Sequence, residues 1–395
     1  MRNVVIVAAA RTAVGSFNGG LSSVPAVELG RTVIEAVIQR SGLDKSAVDE
    51  VILGQVFQGG CGQNPARQAA VNAGLPESIP SYTVNKLCGS GLKTVALGAL
   101  AIAAGDAEII VAGGMESMSR APYLLDHARG GYRLGNGILV DAVIKDGLTD
   151  AFNDIHMGVT AENIAARYQI TREEADQFAL ESQVKAARAI QTGKFKPEIV
   201  PVLITQRKSA PIIFETDEYP RAGTTIESLA KLKSAFQKDG VVTAGNSSGL
   251  NDGAAAVLLM SQEIAENKGI KPLARIVSHA SVGLDPKVMG LGPVEAVRKV
   301  LARASLNLED IDLFELNEAF AVQSIGVLRG LQIPADKINV NGGAIALGHP
   351  LGASGSKILV SLLYEMQARN VKWGLATLCI GGGQGIAMIL ERSVV

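Results

Sequence analysis

One cysteine of the chain stands in a setting that suits nucleophilic chemistry. Cys88 lies in residues 84–92, VNKLCGSGL, between an apolar run typical of a strand end and a Gly-Ser-Gly turn typical of a helix start. A free cysteine is most often a small buried apolar residue. Here, however, Gly89 and Gly91 permit a tight, strained strand-to-helix turn, which lifts a nucleophile clear of its neighbours. We also expect the free N–H groups of the helix N-terminus to favour the thiolate and to hold an oxyanion.

A histidine in a second glycine-rich segment is the predicted partner of this cysteine. His349 lies in residues 342–352, GGAIALGHPLG, where small side chains let the backbone approach a ligand closely. A lone histidine in a loop more often has its ring in water. Because this segment occupies the place in the second half of the chain that Cys88 has in the first, the two residues form a candidate nucleophile and base pair.

Two more polar residues are predicted at the carboxyl ends of buried strands, where open α/β sheets form their ligand sites. Cys379 ends an apolar run before the glycines 381–383, and Asn317 follows another apolar run. A packed core cysteine and a helix-capping asparagine are the alternatives for these positions. The glycines do not predict a phosphate loop, because no Gly-Lys-Ser/Thr follows them. His156, in a segment of different character between the halves, faces either a ligand or solvent.

The elements that must position these residues are predicted twice along the chain. In each half a helix leads into a short apolar strand, and a second helix leads into a buried strand. The predicted elements are 26–40, 51–53, 91–104 and 108–112 in the first half, and 293–304, 313–316, 356–369 and 374–380 in the second. This alternation predicts a duplicated α/β unit and a mainly parallel sheet with helices on both faces. Helix 91–104 is apolar almost all round, which predicts a position between layers of both halves.

Composition limits the remaining function classes. The 395 residues exceed one hydrophobic core, and 47% are hydrophobic with a mean hydropathy of +0.24, which favours several packed units and an oligomer. A net charge of -1 offers no overall field for binding nucleic acid or an anionic membrane. The three cysteines and four histidines lack the spacing of a disulfide framework or a metal site. Because Arg11 interrupts the first apolar run, we expect a strand there rather than a signal peptide, and a cytoplasmic protein.

Taken together, these motifs resemble the thiolase family over the full length of the chain. The similar segments are residues 84–91 (VNKLCGSG), 317–320 (NEAF), 342–350 (GGAIALGHP) and 379–383 (CIGGG). The resemblance implies the thiolase fold, an α/β fold in which two pseudo-symmetric α/β halves form a layered α-β-α-β-α core with an inserted α+β loop domain. The expected boundaries are 1–118 plus 242–268 for the N-terminal half, 119–241 for the inserted coenzyme A-binding loop domain, and 269–395 for the C-terminal half.

The resemblance also implies a role for each site residue. Cys88 would be acylated, His349 would take its proton, and Cys379 would move a proton at the α-carbon of a second acyl group. One oxyanion site would use His349 and a water held by Asn317, and the other would use the main-chain N–H groups of Cys88 and Gly381. Coenzyme A contacts are implied for His156, Arg221, Ser228, Phe236 and Ser248, while Met157 and Phe320 would face the acyl group.

The expected substrates are coenzyme A and its acyl thioesters, with no tightly bound cofactor and no metal, in a homotetramer of two tight dimers. The His156-Met157 pair resembles short-chain members, which favours reversible Claisen condensation of two acetyl thioesters through a ping-pong course. A broader-range 3-ketoacyl-CoA thiolase and a catalytically silent, thiolase-shaped lipid-binding protein are the alternatives. Ketoacyl synthases are disfavoured because a histidine replaces the residue at the position of Cys379. One small departure from the family pattern is Ser247, where alanine is more usual.

Overall fold

The computed structural model describes residues 2–206 and 209–392. The helices are α1 (Ala26–Ser41), α2 (Pro65–Asn72), α3 (Ser90–Ala104), α4 (Met157–Tyr168), α5 (Arg172–Gln191), α6 (Ile226–Ala230), α7 (Gln262–Asn267), α8 (Gly292–Ala304), α9 (Ala321–Leu331), α10 (Ala344–Leu347) and α11 (Leu351–Arg369). The strands are β1 (Val4–Thr12), β2 (Gly15–Ser16), β3 (Glu50–Gly54), β4 (Ser81–Val84), β5 (Ile109–Ser117), β6 (Tyr123–Leu125), β7 (Leu139–Asp141), β8 (Thr149–Asp150), β9 (Ile155–His156), β10 (Ile199–Val200), β11 (Val202–Ile204), β12 (Ile212–Phe214), β13 (Asn251–Ser261), β14 (Ala274–Gly283), β15 (Leu313–Leu316), β16 (Trp373–Ile380) and β17 (Gln384–Glu391).

Eleven of these strands form one continuous sheet. Its order is β15-β16-β17-β14-β1-β13-β5-β3-β4, with β10 beside β1 and β2 beside β13. The two half-sheets join where β1 pairs with β14, with Val4 opposite Ile276. Away from this seam, β13, β5 and β3 follow β1 in the same way that β17, β16 and β15 follow β14. The predicted duplication of an α/β unit is therefore confirmed.

The prediction of a mainly parallel sheet is wrong. Parallel pairing is confined to the outer strands, where β3 pairs with β4 and β5, and β15 with β16, and to the short β10 beside β1. Along the centre of the sheet, the successive strands β16, β17, β14, β1, β13 and β5 pair with one another in antiparallel fashion. The physical reason is that β16 turns directly into β17 through residues 381–383, and a short connection of this kind joins antiparallel strands.

A matched pair of aspartates shows how closely the halves correspond. Asp49 Oδ2 accepts hydrogen bonds from the backbone N–H groups of Glu108 (2.8 Å) and Ile109 (2.9 Å), just where β5 begins. Asp312 Oδ2 accepts in the same way from the N–H groups of Lys372 (3.1 Å) and Trp373 (2.8 Å), where β16 begins. In both halves a carboxylate therefore fixes the end of the loop that enters the central strand.

Five layers build the core, as the resemblance implied. Helices α1 and α2 cover the outer face of the first half-sheet, and α8 and α9 cover the outer face of the second. Helices α3 and α11 lie between the two half-sheets in one apolar cluster, which confirms the predicted central position of the helix over 91–104. Residues 87–104 are apolar enough to span a membrane by composition, but they contain α3, which has the surroundings of a core helix. Helix α11 begins at Leu351, five residues before the predicted start.

The segment predicted as an insertion is attached to the first strand by a buried arginine. Arg11 on β1 donates from Nε to Glu198 (2.6 Å) and from both terminal nitrogens to Asp217 (2.7 and 2.9 Å). All three side chains are nearly inaccessible to solvent. Helices α4 to α6 and strands β6 to β12 belong to residues 119–241, and the exact domain boundaries stay a prediction.

Candidate active site

The two central helices meet at their N-termini, and the predicted nucleophile and base lie at this meeting point. Cys88 stands two residues before α3, and His349 stands two residues before α11. Glycines allow this close crossing, because a Cβ on Gly91 would lie 2.8 Å from the backbone nitrogen of Ser356. A Cβ on Gly355 would likewise collide with Leu92. The duplicated fold therefore brings Cys88 and His349 from distant parts of the sequence to one place.

The strained residue of the cysteine turn is Leu87, not a glycine as we predicted. Leu87 has a φ of 47°, a left-handed conformation that costs a bulky residue about 1 to 3 kcal/mol. Hydrogen bonds hold it there, since Asn85 Oδ1 accepts from the Leu87 N–H (3.0 Å) and Ser90 Oγ donates to the Leu87 carbonyl (2.7 Å). Gly89 has a different function: its lack of a side chain leaves room for Ile380, with which a Cβ at position 89 would collide. The turn thus presents Cys88 through backbone strain at the residue before it.

The resting state of Cys88 is the thiol, contrary to the predicted thiolate. Burial raises the pKa of Cys88 to about 11, while hydrogen bonds from the backbone N–H groups of Gly381 and of Cys88 itself act in the opposite direction. These are the two N–H groups that the resemblance implied for an oxyanion site, and both point at the sulfur. The charge of Glu116 raises the Cys88 pKa further. A nucleophilic Cys88 therefore needs a base to remove its proton.

His349 has the protonation state and orientation of such a base. Ser354 Oγ lies 2.5 Å from His349 Nδ1 and donates its own proton to the Pro350 carbonyl (2.8 Å). Since the hydroxyl has only one proton to donate, Nδ1 must carry the ring proton, and Nε2 keeps a free lone pair. Burial, followed by the charge of Lys357, lowers the pKa of His349 to about 3, so the ring is neutral. Asn251 Oδ1 fixes the backbone by accepting from the His349 N–H (2.8 Å).

Asn317 and Cys379 lie beside this pair. Asn317 Nδ2 is 3.4 Å from His349 Nε2, and Asn317 Oδ1 is buried without a hydrogen-bond partner among the described residues. Cys379 is completely buried at the end of β16. Burial, and secondly repulsion from Cys88, raise the pKa of Cys379 well above its usual value. The two cysteines therefore influence each other electrostatically.

A cavity of about 320 Å³ opens onto Cys88 and His349. Seven of the predicted site residues line it: Cys88, His156, Met157, Phe236, Ser248, Phe320 and His349. The Phe236 ring stacks on His156 with centroids 4.7 Å apart and packs edge-on against Phe320. His156 Nδ1 accepts from the Gly158 N–H (3.0 Å), so its ring proton is on Nε2 when the imidazole is neutral. Burial lowers the pKa of His156 and favours that neutral form.

A second cavity of about 330 Å³ holds the remaining two predicted contacts, Arg221 and Ser228. It adjoins the first, because Tyr219 and Ala244 line both. Arg221 is held through its backbone N–H, which donates to Gln183 Oε1 on α5 (2.9 Å). The nine predicted residues that line the two cavities therefore form one continuous arrangement, which runs from the exposed Arg221 to the half-buried Cys88.

Several residues of this site were not predicted. Ser354 orients His349, Asn251 holds the histidine backbone, and Glu116 is buried close enough to influence Cys88. Ser354 could have been found from its place five residues after His349 in a helix start. The apolar lining was not recognisable, because it comes from separate segments without a shared pattern: Met118, Leu148, Tyr219 and Met289.

Comparison with known proteins agrees with this geometry. The family model "Thiolase, N-terminal domain" matches residues 4–263, and "Thiolase, C-terminal domain" matches residues 270–392. The chain belongs to the thiolase family. It is 62% identical to an acetyl-CoA acetyltransferase of Pseudomonas aeruginosa over 99% of this chain and 100% of that protein. It is 59% identical to an acetyl-CoA acetyltransferase of Escherichia coli with the same coverage.

Solved structures share the fold of this thiolase. The crystal structure of the Bacillus anthracis acetyl-CoA acetyltransferase superimposes with a TM-score of 0.97 at 47% identity, covering 99% of both chains. That of human mitochondrial 3-ketoacyl-CoA thiolase superimposes with a TM-score of 0.96 at 42% identity, again covering 99% of both chains. The chain has the thiolase fold throughout and, as a member of this family, is an acyltransferase.

Proposed function

We propose that this thiolase is an acetyl-CoA acetyltransferase. It condenses two molecules of acetyl-CoA to acetoacetyl-CoA and free coenzyme A, and it catalyses the reverse thiolysis, through an acetyl group carried on Cys88. The observation that carries this proposal is that the Cys88 thiol, two N–H groups aimed at it and a neutral His349 meet at one cavity. The names of the relatives at 62% and 59% identity support the choice of acyl group.

Acetylation of Cys88 needs one proton acceptor and one oxyanion site. His349 Nε2 takes the thiol proton as the Cys88 sulfur attacks the carbonyl carbon of acetyl-CoA. The carbonyl oxygen becomes an oxyanion, for which the N–H groups of Cys88 and Gly381 are the donors. When the bond between carbon and the coenzyme A sulfur breaks, that sulfur takes the proton of the Cys379 thiol and leaves as a thiol, so that His349 stays protonated and Cys379 becomes a thiolate. Coenzyme A can then depart, which gives a ping-pong course.

In the condensation step, Cys379 acts as the base that removes a proton from the second substrate. As a thiolate it removes a proton from the methyl group of the second acetyl-CoA, and the resulting carbanion attacks the carbonyl carbon of acetyl-Cys88. The carbon–sulfur bond of Cys88 breaks, and its thiolate takes the proton back from His349, while Cys379 keeps the proton from the methyl group, which restores all three residues. The protonated Nε2 of His349 and a water held by the Asn317 amide are the donors for the enolate oxygen. Acetylation prevents Cys88 from ionising and so removes one of the two causes that raise the Cys379 pKa.

The two adjoining cavities suit a substrate with a long, polar carrier. The first cavity would take the acyl and pantetheine parts, between the apolar Met157 and Phe320 at the acyl end and His156 and Ser248 along the chain. The second would take the nucleotide part, with Arg221 beside the phosphates and Ser228 nearby. Phe236, stacked on His156, narrows the passage between the buried thiol and the surface. Coenzyme A is thus a substrate, not a resident cofactor.

Mass spectrometry of the intact protein tests the covalent step. After incubation with acetyl-CoA, the wild-type chain should gain one acetyl group, and peptide mapping should place it on Cys88. Cys88→Ala should gain none and should lose thiolase activity. Cys61→Ala is the matched control, because Cys61 is a free cysteine hydrogen-bonded to Gln55 rather than part of the cavity lining, and it should behave as wild type. An active Cys88→Ala variant would overturn the proposal in favour of a silent, lipid-binding thiolase.

Thiolysis of 3-ketoacyl-CoA substrates of increasing acyl chain length distinguishes the proposed enzyme from its nearest alternative, a broader-range 3-ketoacyl-CoA thiolase. We expect kcat/KM for thiolysis of acetoacetyl-CoA to exceed that of an eight-carbon homologue by at least about tenfold, because an apolar pocket discriminates acyl chains by size. Comparable values across the series would favour the alternative. The similarity to the human 3-ketoacyl-CoA thiolase structure is the reason to measure it.

We further propose a cytoplasmic homotetramer. The hairpin of β6 and β7 and its loop expose large apolar side chains, with Tyr123 63%, Ile138 77% and Leu134 99% accessible in one protomer. Exposed apolar groups in one region are typical of an interface between subunits. Light scattering after gel filtration should give the mass of four chains, and a monomer mass would contradict the proposal. Three free cysteines agree with a reducing compartment.

A further inference from the structure

The carboxylate of Glu116 connects three separate segments beneath the reactive pair. It lies at the end of β5 and is inaccessible to solvent. Its Oε2 accepts from the N–H groups of Val56 (3.0 Å) and Gly352 (2.8 Å), and its Oε1 accepts from the Phe57 N–H (3.2 Å). Three backbone donors on one buried carboxylate form a connection that neutral side chains cannot reproduce.

One of these bonds sets the position of helix α11. Gly352 belongs to the first turn of that helix, and its carbonyl is approached so closely by other segments that a Cβ on Gly54 (2.8 Å) or Gly91 (3.0 Å) would collide with it. The same turn contains Ser354, whose hydroxyl orients His349. A movement of Gly352 would therefore move both the base and the group that fixes its tautomer.

The other two bonds set the wall of the cavity beside Cys88. Val56 and Phe57 belong to an apolar cluster with Met118, Val143 and Leu351, against which Cys88 packs. The Phe57 ring lies against Gly147, which lines the cavity, and leaves no room for a Cβ there. Glu116 thus holds the surroundings of the nucleophile as well as those of the base.

We propose that Glu116 is a positioning residue for acyl transfer: its carboxylate, through Val56, Phe57 and Gly352, fixes the relative placement of Cys88 and His349. The inference rests on the proposed function, since it concerns the rate of Cys88 acetylation. Such geometry matters because a misplacement of about 1 Å between reacting groups can cost about a hundredfold in rate. The charge that faces Glu116 is that of Asp252 on β13, the neighbouring Cys88 thiol is neutral, and burial raises the Glu116 pKa to about 7.

Single-turnover kinetics of Glu116→Gln tests the proposal. Glutamine keeps the shape but turns one acceptor into an NH₂ group that opposes a backbone N–H. At saturating acetyl-CoA, we expect the rate constant for acetylation of Cys88 to fall between about tenfold and a hundredfold. The concentration giving half the maximal rate should change by less than about twofold, because Glu116 does not line the substrate cavities. A wild-type acetylation rate in the folded variant would overturn the inference.

Two further variants separate positioning from general loss of stability. Glu365→Gln removes another buried carboxylate of α11, paired with Arg369 and Asn341 and about 20 Å further along the helix, and it should acetylate at the wild-type rate. Glu116→Asp keeps the charge but shortens the side chain, and it should retain an intermediate rate. If Glu116→Gln does not fold, a wild-type rate in Glu116→Asp would overturn the inference.

Amide hydrogen exchange provides a measurement that does not depend on activity. The N–H groups of Val56, Phe57 and Gly352 should exchange faster in Glu116→Gln than in the wild type, with little change in Glu365→Gln. Unchanged exchange at these three amides would overturn the inference even if no acetylation were seen. Absence of acetylation in the wild-type chain would instead refute the proposed function, so the two failures are distinguishable.

Discussion

Ser354 Oγ lies 2.5 Å from His349 Nδ1 and donates its single proton to the Pro350 carbonyl, which forces His349 to present an unprotonated Nε2. Replacing Ser354 by alanine would free the ring to rotate and to adopt the other tautomer. We expect kcat of Ser354→Ala to fall about tenfold to a hundredfold with little change in KM, a loss typical of a misplaced general base. Steady-state kinetics of thiolysis measures both constants.

Ser356→Ala is the control for that prediction. Ser356 is also a buried serine of α11, but its hydroxyl donates to the Ala353 carbonyl of its own helix (2.9 Å). Its removal should leave kcat within about twofold of the wild-type value. Equal losses in the two variants would show that helix packing, not the tautomer of His349, is responsible.

The pH dependence of Cys88 alkylation reports its protonation state in the free protein. Because burial raises the Cys88 pKa to about 11, only a small fraction is thiolate at neutral pH, and that fraction grows as the pH rises. We expect the rate of modification by iodoacetamide, followed on the Cys88 peptide, to rise about tenfold per pH unit between about pH 7 and pH 10. A plateau near pH 7 would instead indicate a stable thiolate and imidazolium pair with His349.

Arg11 should be essential for stability without touching the substrate cavities. Arg11→Met would leave the carboxylates of Glu198 and Asp217 buried and uncompensated, which costs about 3 to 5 kcal/mol in the free energy of unfolding. Urea denaturation should show this loss. Arg31→Met, which breaks exposed pairs with Glu28 and Glu35, should cost less than about 1 kcal/mol. Similar losses in both variants would contradict the anchoring role of Arg11.

Gly158 lies against the Phe236 ring, so a substitution there tests whether the stack of Phe236 on His156 contributes to substrate binding. A Cβ at position 158 would collide with the Phe236 ring, which stacks on His156, so Gly158→Ala should displace the ring. We expect KM for acetyl-CoA to rise about threefold to tenfold, the range of a lost aromatic contact. Gly130→Ala is the control, because a Cβ there has ordinary spacing, and it should keep the wild-type KM. An unchanged KM in Gly158→Ala would exclude a role for the stack in binding.

The sequence was sufficient to predict the central pair of the site. Cys88 and His349 each precede a long helix with glycine in its first turn, so the duplicated pattern places them together. Local residue types also predicted the strand, turn and helix around Cys88, whereas the segment before His349 forms the short helix α10 rather than the end of a strand. The thiolate state of Cys88 was wrongly predicted, because the sequence shows that a helix N-terminus follows but not how deeply the sulfur is buried.

Long-range pairing explains most of what the sequence did not reveal. In the sequence Arg11 is only a polar residue that ends an apolar run. The carboxylates that pair with it, Glu198 and Asp217, lie 187 and 206 residues further along the chain. In the sequence Glu116 is likewise only a residue at the end of a predicted strand, but its carboxylate oxygens accept hydrogen bonds from backbone N–H groups of two other segments. The antiparallel centre of the sheet could not be predicted for the same reason, since β13 pairs with a strand at the opposite end of its half.

The position of β13 has a consequence for how the protein is made. Residues 251–261 lie between β1 and β5 in the sheet, so on the ribosome the first half-sheet cannot be completed until a strand is synthesised 247 residues after β1 begins. Until then the facing edges of β1 and β5 remain open to wrong partners, a situation typical of slow-folding chains that rely on chaperones. Helix α11, and with it His349, emerges later still. Nascent chains that stop short of it carry the cysteine without its neighbouring histidine, so the site can assemble only when synthesis of the chain is almost finished.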